Sequence, residues 1–236
     1  MSYQDNFYKK KESNAYFSRV IKNSKFEKGI RESKKNIFNE LDKNINLKNK
    51  NVLEIGCFVA DLLNVLKKKY NCKVYGIEPS SLACDFAKKN FSLIIENSTF
   101  AKSSKFLCSQ KNFSSYDLII VDDVLSWIDR DLILQTISSL DWLLKSGGYI
   151  YLRDFSPNFS FAVKNHHWKN QKIFNFKQTN GHKTFFLNSG KYKIILSRVY
   201  ETKMFNKVKT SHHESNIWNN VILKKIKNFT QPIIKL

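Results

Sequence analysis

The stretch V-L-E-I-G-C-F-V-A-D-L-L, residues 52–63, sets Glu54 two places before Gly56 at the end of a short apolar run. Glu78 follows Gly56 by 22 residues, close to the separation at which an acidic residue in a nucleotide-binding α/β unit accepts both hydroxyls of a ribose. A carboxylate there suits a free diol and rejects a 2′-phosphate. Gly56 permits a positive φ and lets the backbone approach a ligand closely. Glu54 suits either a ligand ammonium or the N–H groups of the helix that follows. Asp122 and Asp123 are a carboxylate pair of the kind used for acid–base work, metal binding or helix capping. No third ligand stands near them, so no metal is expected. Asp154 and the doublet His166-His167 offer proton acceptors, since an imidazole titrates near neutrality. A second doublet, His212-His213, has no strand-end context.

Positioning these groups requires a definite order of elements. Residues 12–45 read as two helical segments, because Phe17, Ile21, Ile30, Ile37, Phe38 and Leu41 recur at three-to-four spacing. Then NVLEI reads as a strand, CFVADLLNVLKKKY as a helix, CKVYGIE as a strand and PSSLACDFAKKN as a helix opened by Pro and Ser. FSLIIE, YDLIIVDDV and GYIYLRDF supply a third, fourth and fifth strand, with a helix over about 130–144 between the last two. Near-continuous apolar strands alternating with helices indicate a parallel sheet covered on both faces. After Phe155 a polar, aromatic loop follows, and KIFNFK, HKTFFL, YKIILSRVYE and IWNNVILKKI read as strands. The expected fold is α/β, a doubly wound, mostly parallel seven-stranded sheet with an antiparallel C-terminal edge pair and a helical N-terminal extension.

Four segments in order, LEIGCFVADLL, GIEPS, YDLIIVDDVLSWID and LLKSGGYIYLRDF, resemble the class I, Rossmann-like S-adenosylmethionine-dependent methyltransferases, whose first motif is hh[DE]hGxGxGxh. The resemblance covers about residues 50–155. It implies S-adenosylmethionine as cofactor, with Glu54, Gly56, Cys57 and Phe58 around its amino-acid portion and Glu78 on the ribose. Pro79 or Ser80 would lie beside the adenine, Asn97 and Ser98 near the adenine amino group, and Asp122 at the boundary between cofactor and substrate. The second and third glycines of the motif are Phe58 and Ala60 here, so the loop is expected to lack the usual freedom. Residues 1–48 then form the helical extension, 49–155 the cofactor-binding core, and 156–236 the acceptor-side loop and closing strands. DFSPNFSFAVKNHHWKNQKIFNFK is also similar to bacterial relatives encoded with surface-polysaccharide genes, which places the candidate bases Asp154, His166 and His167 at the acceptor.

Among 236 residues, 40 are Lys or Arg and 20 Asp or Glu, a net charge of +20. That total invites a nucleic-acid reading, but 35 of the basic residues are Lys, only 5 are Arg, and 25 Asn accompany them, as an A+T-rich coding sequence would also produce. Residues 1–50 carry +7, residues 51–150 zero, and residues 151–236 +13. The expected reaction is methyl transfer to a small molecule or a glycan or nucleotide-sugar acceptor, at oxygen. RNA, reached through the basic flanks, is the less favoured acceptor, since DDVL replaces the [DNS]PP[YF] of amino-directed nucleic-acid methylases. A non-catalytic binding subunit is the third reading. The four cysteines have no CxxC pair, which argues against a disulfide frame. The polar start and the lack of an apolar run of about 18 residues point to a cytoplasmic protein without a membrane span.

Overall fold

The computed structural model describes residues 2–109, 112–201 and 216–226. A short helix α1 (Tyr3–Phe7) runs through one π-helical turn, Tyr8–Glu12, into α2 (Ser13–Ile21), and α3 (Ser24–Asn44) follows. The two helices expected over 12–45 are therefore present, and α1 precedes them. Ser2 starts it, its Oγ accepting from the Asp5 N–H at 3.2 Å.

The main sheet has the strand order β2-β1-β3-β4-β8-β7. In it β1 (Asn51–Ile55), β2 (Lys73–Ile77), β3 (Tyr116–Asp122) and β4 (Leu144–Phe155) are parallel, while β7 (Tyr192–Glu201) and β8 (Ile217–Lys225) close one edge as an antiparallel pair. Helices α4 (Asp61–Tyr70), α5 (Ser81–Phe91), α6 (Phe100–Leu107) and α7 (Arg130–Leu143) connect the parallel strands. Because side chains alternate along a strand, Val52, Leu118, Ile120 and Tyr151 face α3 and α4, whereas Leu53, Ile119, Ile150 and Leu152 face α6 and α7. Both faces are covered, which is why these strands read as unbroken apolar runs.

The sheet differs from expectation in having six strands, not seven. The segment expected as the third strand makes a single bridge, Ile77 to Glu96. Ser92, at φ +53°, ends α5, and Ile94 is 88% exposed, so the apolar run does not lie flat on the edge. Glu96 N still donates to Gly76 O at 2.9 Å and Glu78 N to Glu96 O at 3.0 Å. HKTFFL is likewise not a strand but contains the short helix α8 (Lys183–Leu187). A helical turn lets the adjacent Phe185 and Phe186 both reach the same core, which a strand would forbid. KIFNFK supplies β6 (Phe174–Lys177), which pairs with β5 (Phe161–Lys164) as a separate two-stranded ribbon outside the main sheet. His212 and His213 lie outside the described residues. Among the described residues no helix is long and apolar enough to cross a membrane.

Candidate active site

The loop between β1 and α4 carries the glycine motif. Gly56, Phe58 and Ala60 have φ of +67°, +50° and +59°, the same three alternating positions at which the family pattern has glycine. At Phe58 and Ala60 the left-handed conformation is held without glycine. A Cβ on Gly56 would stand 2.6 Å from Val124 Cγ2, so this position is closed to a side chain. Phe58 turns toward the N-terminal helices, its ring 5.8 Å from those of both Tyr16 and Phe17. The contacts hold a strained backbone in place, at a cost of about 1 kcal/mol per left-handed non-glycine residue. Cys57 contributes only backbone here, because its thiol is buried in the core.

Glu78, at the tip of β2, ties this loop to the next one. Its Oε2 accepts from Phe58 N at 2.9 Å and its Oε1 from Ser80 N at 2.8 Å. Burial pushes its carboxyl up to about 7, with the Ser80 and Phe58 N–H groups pulling the other way. Beside it, Asn97 Nδ2 donates to the carbonyls of Glu78 and Pro79, each at 3.0 Å, and Ser98 N donates to Glu78 O at 3.1 Å. Glu78, Pro79, Asn97 and Ser98 thus form one rim.

Beneath the loop lies a charged network that the sequence did not reveal. Lys34 of α3 is buried, and its Nζ lies 2.6 Å from Glu54 Oε1 and 3.1 Å from Asp122 Oδ2. Arg153 binds the other Asp122 oxygen and reaches Ser33. Burial would raise Asp122, but Arg153 and Lys34 outweigh it and hold the carboxyl below its usual range. Glu54 is pushed up to about 7 by burial in spite of Lys34, and its Oε2 is buried without a hydrogen bond. Asp122 is thus fully engaged from below, and the residue that turns up at the strand end is Asp123, at φ +54°.

At the ends of β3 and β4 a second cluster gathers. Asp154 accepts from Ser126 N at 3.0 Å and lies 3.2 Å from Nδ1 of His182, a residue 1% exposed whose ring nitrogens make no hydrogen bond. Burial and the Asp154 charge hold Asp123 well above the usual carboxylate range. Lys177, near both carboxylates, is drawn down by burial to about 7. Asp154 therefore has strand-end company, but not the company expected. His166 and His167 are exposed, their rings tilted against each other at 3.8 Å on the loop between β5 and β6, and the structure does not bring them to Asp154. No strand pattern or doublet marked His182 and Lys177.

Residues 2–14 roof the whole arrangement. Gln4 pairs with the Phe174 backbone in both directions, at 2.9 Å each, and donates to Trp127 O at 2.7 Å. Lys9 reaches Asn97 and Pro79 O, Thr99 donates to Asp5 at 3.0 Å, and Ser80 donates to Asn14 at 2.8 Å. The Trp168 indole donates to Glu12. One segment spans the nucleotide-side rim and the acceptor-side loop.

These residues fit S-adenosylmethionine. The orphaned Glu54 Oε2 suits its ammonium, the backbone of Gly56 to Phe58 its amino-acid portion, and Glu78 its ribose. Among the described residues no group of three His, Cys, Asp or Glu side chains is placed to hold a metal ion.

A family model for a methyltransferase domain matches residues 26–191. The chain is 32% identical over 109 residues to a tRNA N(3)-methylcytidine methyltransferase of Schizosaccharomyces pombe, the match covering 44% of each protein. It is 33% identical over 116 residues to a tRNA N(3)-cytidine methyltransferase of Bos taurus, covering 44% of this chain and 29% of that protein. The chain thus spans less than half the length of these curated relatives. In structure it is similar to a SAM-dependent methyltransferase of Leishmania major, with a TM-score of 0.64 at 11% identity over 94% of this chain and 81% of that one. With the cofactor motif in place on this fold and the family match running from α3 to the start of β7, the chain belongs to the methyltransferase-domain family, the S-adenosylmethionine-dependent methyltransferases.

Proposed function

We propose that this methyltransferase acts on RNA, at a ring nitrogen of a base. The observation that carries the reading is the 32–33% identity with two tRNA N(3)-cytidine methyltransferases. It reverses the order of acceptors expected from the DDVL segment, the scarcity of Arg and the resemblance to surface-polysaccharide relatives. S-adenosylmethionine, when bound, supplies an electrophilic methyl group on a sulfonium. Glu54, Gly56, Cys57, Phe58, Glu78, Pro79, Asn97 and Ser98 hold and orient it, and Asp122 acts through Lys34 and Arg153 to fix the floor beneath. A pyridine-type ring nitrogen, such as N3 of cytosine, would attack through its lone pair and give up no proton; the methyl–sulfur bond would break, S-adenosylhomocysteine would leave with the electron pair, and the positive charge would pass to the acceptor. Asp154, buried at the end of β4, supplies the carboxylate that offsets such charge. The N-terminal roof and Lys177 keep water from that end.

One feature favours a second reading, transfer to a hydroxyl of a small molecule or glycan. A hydroxyl must lose its proton, and Asp154 with His182 at 3.2 Å is an arrangement able to take it. His166 and His167 would then have to approach with the loop.

The experiment is methyl transfer from radiolabelled S-adenosylmethionine to tRNA transcripts, followed by nucleoside analysis. Label on a base supports the first reading. Unlabelled RNA alongside a labelled hydroxyl acceptor overturns it in favour of the second.

A further inference from the structure

We propose that the outward face of the β5–β6 ribbon is the surface on which a single-stranded segment of RNA stacks; the proposal rests on the RNA reading above. The ribbon has two unlike faces. Along β6, Asn175 and Lys177 are buried, with Asn175 Nδ2 donating to Ser126 Oγ at 3.0 Å and Lys177 Nζ over the Phe155 ring. Phe174 and Phe176 alternate with them, so they point the other way. Both are half-buried, their ring centroids are 6.0 Å apart, and neither belongs to a core cluster, whereas the nearby Phe185, Phe186 and Tyr192 do. Across the ribbon Phe174 pairs with Lys164 and Phe176 with Ala162, which puts an exposed cation and a methyl group on the same face. The Arg130 guanidinium lies 5.1 Å from the Phe176 ring.

Two aromatic rings with cations beside them are what base stacking and phosphate contact require. The charge of the segment agrees. From Phe155 to Tyr200 there is no Asp or Glu, and eight residues are Lys or Arg. Asp129 and Asp131 flank Arg130 on the α7 side, so the phosphates run instead toward Lys164, Lys169 and Lys172, all exposed. The inward face of the same ribbon meets Asp123 and Asp154 through Lys177. A base stacked outside is therefore one ribbon's thickness from the acceptor cluster.

The test is fluorescence anisotropy with a labelled single-stranded RNA oligonucleotide at about 50 mM salt, where charge contacts are strongest. Phe174→Ala with Phe176→Ala should weaken binding roughly fivefold to a hundredfold, with S-adenosylhomocysteine affinity unchanged by calorimetry. Lys164→Gln, Lys169→Gln and Lys172→Gln together should flatten the salt dependence. Should the double phenylalanine variant fail to bind S-adenosylhomocysteine, Arg130→Gln and the lysine variant decide the matter instead. RNA affinity within twofold of wild type in these variants overturns the surface but leaves the RNA reading standing. No RNA binding by the wild-type protein overturns both.

Discussion

Lys34 Nζ sits 2.6 Å from Glu54 Oε1, with the lysine side chain 7% and the glutamate side chain 0% exposed. The pair joins a helix of the N-terminal extension to the strand that begins the cofactor motif, so the extension is part of the site's floor rather than an appendage. Lys34 bonds Asp122 as well, and one ammonium thus serves two buried carboxylates.

Lys34→Met leaves both carboxylates without their common cation. Removing one partner of a buried pair costs about 3–5 kcal/mol, and urea unfolding should show a loss in that range. Combining it with Glu54→Gln should recover part of the loss, since one of the stranded charges is then gone. A fully additive double variant would show that the two residues do not interact.

Phe58 and Ala60 hold glycine-like backbone in different surroundings, so restoring glycine should have unequal results. Ala60→Gly relieves a left-handed alanine and should change stability by no more than about 1 kcal/mol. Phe58→Gly relieves the same strain but removes a ring packed on α2, and should cost about 2–4 kcal/mol. Equal effects in thermal unfolding would contradict the packing assigned to Phe58.

Glu78→Ala removes the acceptor of two loop N–H groups and of the proposed ribose contacts. The affinity for S-adenosylhomocysteine should fall roughly tenfold to a hundredfold in calorimetric titration. Wild-type affinity would exclude the ribose role.

Glu54 and Glu78, both pushed up by burial to about 7, make the ligand-free protein pH-sensitive. The native state holds these protons more tightly than the unfolded chain, so their contribution is full below about pH 4.5 and is lost as pH rises through 7. Lys177, drawn down to about 7, acts in the opposite sense only between about 7 and 10. The melting temperature should therefore drop by roughly 5 °C or more from pH 5 to pH 7, and Asp123, held above the usual carboxylate range as well, should carry the fall on toward pH 8. In Glu78→Gln the slope should be shallower. A melting temperature rising across pH 5 to 7 would contradict the burial of these carboxyls.

Much of the site could be read from the chain because its residues sit at the ends of strands. Glu54, Gly56, Glu78 and Asp154 are placed by strand and turn periodicity, which is local and repeats every two residues. The alternation of apolar strands with helices gave the doubly wound sheet for the same reason. The roof escaped notice because most of its anchors are polar: Gln4, Glu12 and Asn14 are held by hydrogen bonds to distant backbone and side chains, and no hydrophobic spacing records that. Lys34, Arg153, Lys177 and His182 are ordinary surface types in sequence, and each is drawn inward beside carboxylates 20 or more positions away. Only the folded chain decided that Asp122 faces a lysine below it while Asp123 turns upward, or that Phe174 and Phe186 part company, one onto a ribbon's outer face and the other into the core. Sequence determines the period of each element; which side chains meet across elements depends on register, and register is a property of the assembled sheet.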